Sequence, residues 1–578
     1  MTDRHPLTDG IGPAGAAADR ATATDGEPGR DVPAGAQAGG GLLCQPYLLD
    51  PDATGVYVVW HTETPGTTQV VLVGTAVAAM TGPEARDAAT AAGAGGADWR
   101  RFTAQTHRLT RTREDADSRV PGRTYSQVTP RPVYRHLARV TGLAPGRTPY
   151  RVVSIDEQGR PTVTPTYSLA PAVPPGRGVR LLLTSDHQLL RMTPANLAKV
   201  AETVGVRLDG VLMAGDMVNV PDRASEWFDS TAGPAFFAAM TGRAATTIAG
   251  RTYRGAPLLQ HTPLFPAIGN HEVMGRWSAT ASLTSQFNHP QPAHWDVTTY
   301  EELFPYPRSE SGGPRWWSRT IGDVHVVALF VTGVWRPHTT DGPGTFTEGA
   351  ADLAHPERWG HGRFIFTPVH RGSEQYRWLE QELTSEAARA ARFRVVMFHH
   401  SSHGLGDNAT PAFTDPVQLV ERDPRTGAVT AVRYVYPLAE DHVLRDLEPL
   451  FSATGVHLVH TGHTHLWNRF RNPAGVNWLE TSNVGNSYGA YDVTSGLSRS
   501  LPDGPDHVRQ GDPGGLRPIV PTIAPLTDSA GTPLPYVASN DITVFSILDS
   551  AAGVVRSYRF DAREPDSPVL LFDEFPLA

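Results

Sequence analysis

Residues 178–219 read GVRLLLTSDHQLLRMTPANLAKVAETVGVRLDGVLMAGDMVN, and this stretch decides the fold. Residues 178–184 form an unbroken apolar run of the kind shown by a strand buried on both faces. Thr193 and Pro194 then stand as N-cap and first helical residue, and Leu197, Val200, Ala201 and Val204 recur at helical spacing. Residues 210–214 (GVLMA) are the next apolar run. Strand, helix and second buried strand predict a parallel, right-handed β-α-β unit. Each run ends in polar residues: Asp186-His187-Gln188 after the first, Gly215-Asp216-Met217-Val218-Asn219 after the second.

Outward from that unit the pattern repeats. Apolar runs follow at 264–268 (LFPAI), 324–330 (VHVVALF), 393–398 (FRVVMF) and 455–460 (GVHLVH), with helices predicted over 373–391 and 439–453. The order implies an α/β domain. Three of these runs also end in side chains able to bind metal: Gly269-Asn270-His271-Glu272, His399-His400 and Gly462-His463-Thr464-His465. In an α/β domain ligands bind outside the carboxyl ends of the strands, so all five clusters are expected to meet there. Asp, Asn and His donors without thiolate suit Mn, Fe, Zn or Co, and a shared carboxylate can hold two ions close together. We therefore expect a dinuclear centre. Alternation along a strand puts Asp186 and Gln188 on one face and His187 on the other, which favours Gln188 over His187 as a ligand.

Upstream, residues 41–170 carry short β-type runs, at 55–62 (GVYVVWHT), 68–73 (TQVVLV), 134–140 (YRHLARV) and 150–155 (YRVVSI), divided by turns such as LAPGRT at 143–148. This spacing predicts a β-sandwich, interrupted by a polar surface insertion over about 74–127. A Pro-rich linker is expected at 171–178, with the α/β domain over 179–578. Residues 1–40 have too few large apolar side chains to offset the entropy of ordering and read as a disordered tail. Segments 333–372 and 404–437 are long enough to be lids or specificity loops.

Composition narrows the function. The chain has 578 residues and a net charge of −9, which gives no global basic field for nucleic acid or an anionic membrane. Cys44 is the only cysteine, which excludes intrachain disulfides and thiolate metal cages. No apolar stretch approaches the roughly 20 residues of a membrane span, and no signal segment opens the chain, so a cytoplasmic location is expected. Lys199 is the only lysine among 50 basic side chains, as in proteins of GC-rich bacterial genomes.

The ordered set of GD at 215–216, GNHE at 269–272, a strand ending in His399 and GHTH at 462–465 resembles the calcineurin-like metallophosphoesterase superfamily. The sandwich in front makes the chain similar to the purple acid phosphatase branch, whose catalytic domain follows a fibronectin-type-III-like domain. The resemblance implies a four-layer α/β/β/α domain holding two metal ions (Fe, Mn or Zn). It implies that Asp186 and His465 bind metal one, that Asp216 bridges, and that Asn270, His399 and His463 bind metal two. Two positions depart from the pattern: Asn219 stands where that branch has a tyrosine, and Gln188 where the wider superfamily has a histidine. Either or both could serve metal one as neutral oxygen donors, and without tyrosinate the centre is expected to be colourless.

The resemblance further implies hydrolysis of phosphate esters by hydroxide generated at the metals; monoester against diester stays open, monoesters being slightly favoured, because specificity would lie in the loops at 333–372 and 404–437. It assigns His271 to transition-state contact or protonation of the leaving group. His403 is a second candidate for substrate contact, as is His400, which a loop role would explain equally well. The expected partner is a small phosphorylated molecule, with no nucleic acid and no membrane; the oligomeric state is left open. The competing reading is a non-catalytic metal-binding or interaction protein with a degenerate metallophosphoesterase domain, motivated by Gln188 and Asn219. A nuclease fits poorly with the acidic charge.

Overall fold

The computed structural model describes residues 41–275, 278–288, 294–306, 315–336, 346–359, 362–407, 413–501 and 507–578, except 94 and 97. The tail expected over 1–40 lies outside the described residues, as do parts of segments 333–372 and 404–437.

Two mixed sheets face each other. One has ten strands, in the order Leu570–Pro576, Val554–Asp561, Ile542–Asp549, Arg180–Thr184, Gly210–Met213, Pro263–Pro266, Tyr47–Asp52, Gly55–Thr62, Tyr134–Val140, Gln105–Arg108. The other has seven: Trp317–Ile321, Val324–Ala328, Phe393–His400, Leu458–Gly462, Asn477–Thr481, Trp467–Arg471, Tyr536–Val537. The centre of each is parallel, with Leu182 opposite Val211 in the first and Val396 opposite Val459 in the second. Such strands are buried on both faces, which is why their sequences are continuous apolar runs.

Leu181, Leu183, Val211, Met213 and Phe265 share one core with Val324, Val326, Val395, Met397 and Leu458 of the facing sheet, all at most 1% exposed. At about 1.5–3 kcal/mol per buried aliphatic or aromatic side chain, this contact fixes the two sheets face to face. Outside the first sheet the helix Thr193–Val204 packs through Leu197 and Val200. Outside the second, the helix Glu374–Leu383 packs Tyr376, Leu379 and Leu383 on Val327, Val396 and Phe398. The layers are α/β/β/α.

Three local expectations change. Thr193 is the first helical residue rather than the cap, and its hydroxyl donates to the His187 carbonyl at 3.2 Å. The single helix expected over 373–391 is two, Glu374–Leu383 and Glu386–Ala390, because the Ser385 hydroxyl accepts the Ala388 amide and starts a new one. Over 439–453 a π turn, Val443–Leu447, passes into the short helix Glu448–Ala453, where Pro449 has no N–H to continue an unbroken ladder.

In the N-terminal part, Leu48, Val58 and Trp60 of the ten-stranded sheet pack on Val71, Val73, Tyr150 and Val152 of a six-stranded sheet, giving a β-sandwich. The stretch 74–127, read as an insertion, contributes to both layers: Trp99–Thr103 pairs with Thr68–Val73, and Gln105–Arg108 pairs with Tyr134–Val140. Every residue of Gln105–Arg108 is exposed at the sheet edge, so no apolar alternation announced it. Tyr47–Asp52 pairs in parallel with Pro263–Pro266, Leu49 opposite Leu264, so one sheet spans both parts of the chain. Among the described residues no helix is long and apolar enough to cross a membrane.

Candidate metal centre

The strands deliver the candidate ligand residues through turns with left-handed backbone. Of eight described non-glycine residues in the left-handed region, six lie in these loops: Asp186 (φ 55°), Gln188 (36°), Leu189 (58°), Asp216 (56°), His463 (86°) and His465 (57°). Each costs of order 1 kcal/mol or more, so the surroundings must hold them. Two motif glycines make the turns possible. Gly215 has φ +95°, and a Cβ there would lie 2.6 Å from the Gly269 amide nitrogen; a Cβ on Gly269 would lie 2.1 Å from Asp216 Oδ1.

Two buried carboxylates pin the loops from behind. Glu272 accepts the backbone N–H groups of Asp216, Met217 and Gly269, each at 2.8 Å. Burial and the neighbouring Asp216 charge push its pKa up to about 8, against those three amides. Glu480 accepts the Thr464 amide at 2.8 Å, its hydroxyl at 2.7 Å and the Asn468 amide group at 2.9 Å, which secures the GHTH turn.

At the front, His399 Nδ1–H donates to the Ala214 carbonyl at 2.8 Å and so directs Nε2 inward. That Nε2 lies 3.0 Å from Asp216 Oδ2 and 3.1 Å from Asn270 Oδ1. The His463 amide donates to both Asp186 oxygens at 3.1 Å, and His465 Nε2 lies 3.4 Å from Asp186 Oδ1. The Ser185 hydroxyl donates to Asp186 Oδ2. Burial disfavours charge on His399, but Asp216 and Asp186 outweigh it and raise the imidazole to about 9. In turn burial is outweighed at Asp216, where the His399 and His271 charges hold the carboxyl below its ordinary range.

The donor set fits a cation. Asp186, Asp216 and His399 bring one donor atom each within 4.8 Å of one another, as do His399, His400 and His463. Two carboxylates at that separation repel by on the order of 3 kcal/mol at an effective dielectric near 20. Asp186 and Asp216 are nevertheless at most 1% exposed, and His465 Nδ1 is buried with no hydrogen-bond partner. Oxygen and imidazole donors without thiolate are what a hard or borderline divalent ion takes.

The remaining expected residues separate into two groups. Gln188 Nε2 donates to Asp216 Oδ2 at 3.3 Å, while His187 turns to the Thr184 hydroxyl at 3.0 Å and the Phe236 ring. Strand alternation is not the cause, because the strand ends at Thr184 and both Asp186 and Gln188 have positive φ. The His271 amide donates to Asp216 Oδ1 at 2.9 Å; its ring packs on Phe287, with Nδ1–H donating to the Asn219 carbonyl at 2.7 Å. Asn219 itself contributes its backbone there, and its side-chain amide donates to the Gln188 carbonyl at 3.0 Å. His403 is placed elsewhere: Nδ1 lies 2.8 Å from Asp512 and Nε2 3.6 Å from Glu448, with the ring against Trp478 and none of these contacts within the cluster.

Two further participants join the cluster, His400, which the sequence left between substrate contact and a loop role, and one with no sequence signal of its own. His400 Nε2 lies 3.1 Å from Asn270 Oδ1, and its ring centre is 3.7 Å from that of His463. Glu480 is the one the sequence did not signal. Tyr488, on the loop after Asn477–Thr481, stacks on His465 with ring centres 5.0 Å apart.

Residues 179–466 match the family model described as calcineurin-like phosphoesterase. A purple acid phosphatase from yellow lupin (Lupinus luteus) seeds aligns over 92% of this chain and 73% of its own, at 14% identity and a TM-score of 0.49. PhoD aligns over 92% and 91% at 12% identity and 0.42, and GAP50 of Plasmodium over 68% and 89% at 9% and 0.31. No curated protein matches the chain.

Proposed function

On the premise that this chain carries a calcineurin-like phosphoesterase domain over residues 179–466, we propose that it hydrolyses phosphate esters, monoesters in preference to diesters, at a pair of divalent metal ions. One observation carries the reading: Asp216 Oδ2 and Asn270 Oδ1, from one sheet, lie within 3.1 Å of the same His399 nitrogen from the other. Asp186 and His465 would hold one ion and Asn270, His399 and His463 the other, with Asp216 between them. Bound there, the ions would supply Lewis-acid polarisation of the phosphoryl group and a lowered pKa for the attacking water.

The chain's own residues would do the rest. Nδ1–H of His271 is engaged by Asn219, which leaves Nε2 to meet the phosphoryl group or to protonate the departing oxygen. The Phe287 ring fixes the imidazole plane. Glu272 acts through the backbone by holding Asp216 and Gly269 in place.

A one-metal, non-catalytic protein is the second reading. What favours it is that Gln188 and Asn219 hydrogen-bond Asp216 and each other's loop, so neither adds a strong donor to metal one. Elemental analysis with turnover of an aryl phosphate separates the two. Two equivalents of metal and a rate abolished by Asn270→Ala support the esterase; one equivalent and no turnover across a metal panel support the binder.

A further inference from the structure

A cleft of about 1540 Å³ runs between the N-terminal sandwich and the catalytic domain. Gln188, Asn219, His271 and Asn486 line its inner end, so it opens on the candidate metal centre. That volume exceeds the roughly 300–1,000 Å³ of an ordinary small-ligand pocket and leaves space beyond an ester phosphate.

Its charge is the reverse of the chain's. A protein of net charge −9 lines this cleft with seven arginines and five carboxylates. Each carboxylate is paired within the lining: Glu63 with Arg123 at 2.6 Å, Asp229 with Arg131 at 2.7 Å, Asp156 with Arg160 at 2.7 Å, Glu226 with Arg223 at 2.8 Å and Asp117 with Arg223 at 3.7 Å. Arg119, Arg191 and Arg243 stand outside these pairs, Arg243 acting on the Tyr167 hydroxyl. Arg119 donates to the Ala116 and Ser118 carbonyls and Arg191 to the Thr247 carbonyl; among the described residues no carboxylate lies within 4 Å of either guanidinium. Both are exposed, on opposite parts of the chain, and Arg191 follows Gln188 by three residues. Carbonyl bonds orient a guanidinium without neutralising it, so its remaining N–H groups can serve an anion.

We infer that Arg119 and Arg191 form a subsite for a second anionic group on the substrate, which makes the preferred substrate an organic phosphate with another phosphate or carboxylate on its leaving group. This rests on the esterase reading above and specifies its substrate class. The scissile phosphate would sit against Asn270 and His271, and the distal anion would lie along the cleft.

The test compares 1,4-butanediol bisphosphate with butyl phosphate, using the metal-loaded full chain and the variants Arg119→Gln, Arg191→Gln and the double substitution. Wild type is expected to show about tenfold higher kcat/KM for the bisphosphate, carried by KM, and the double variant to bring that ratio close to one. Raising salt to about 0.5 M should shrink the wild-type ratio as well. Equal use of the two esters by wild type, or a ratio that survives both substitutions, overturns the subsite. Calorimetric binding of 1,4-butanediyl bisphosphonate needs no turnover. Tighter binding by wild type than by the double variant upholds the subsite even if every ester is inert, in which case the esterase reading alone fails; equal binding overturns it.

Discussion

Glu272 holds Asp216 through its backbone: Oε2 accepts the Asp216 amide at 2.8 Å, while the same carboxylate receives Met217 and Gly269. The side chain central to the candidate metal cluster is therefore aimed by a neighbour that grips its backbone. Asp216 sits at φ 56°, in the left-handed region that aspartate tolerates better than most non-glycine residues but still at a cost.

Glu272→Gln keeps the shape but leaves one acceptor oxygen for three buried amides. We expect a loss of about 1–3 kcal/mol in a urea unfolding experiment, together with weaker metal retention during dialysis against a chelator. Wild-type stability and retention in this variant would mean that the loop holds itself.

His271 touches the cluster through its backbone amide, so its ring can be removed without removing a ligand. His271→Ala is expected to lower turnover of an aryl phosphate by about 10² to 10⁴-fold with metal content unchanged by elemental analysis. An undiminished rate would take the imidazole out of the chemistry.

His403 gives the fold a pH dependence. Burial opposes its charge, but Asp512 and Glu448 outweigh that and raise the imidazole from 6.5 to about 9. A raised folded-state pKa stabilises fully below about pH 6.5, and the contribution fades as pH climbs through 9. The penalty for His403→Gln should therefore be greatest near pH 6 and shrink by up to about 3 kcal/mol by pH 10, read from urea melts of both proteins. A penalty that stays level over that range would assign His403 a packing role only.

The arrangement of the domain was legible because most of its central strands announce themselves twice, by an apolar run and by the polar residues that end it. LLLT before Asp186, VLMA before Asp216 and FRVVMF before His399 all behave this way. His400 was ambiguous for a physical reason. Neighbours on a regular strand face opposite sides, but the pairing with Leu458–Gly462 shifts between Met397 and His400, and that irregularity brings both rings to Asn270. Glu480 was invisible because it sits inside the run NWLET, where its partners Thr464 and Asn468 come from another strand and its turn. The cleft arginines could not be grouped from spacing, since Arg119 and Arg191 line one cleft only once the sandwich is seated on the catalytic sheet.

The shared ten-stranded sheet also sets a timetable for synthesis. Leu49 has to wait for Leu264, so the ribosome must add some 215 residues before the first strand gains its parallel neighbour. At about 5–20 residues per second the nascent sandwich spends on the order of 10 to 40 s with one flank unpaired, open to any passing strand. The N-terminal part is thus made first and completed late, and a ribosome stalled between the two halves would release a sticky fragment rather than a finished module.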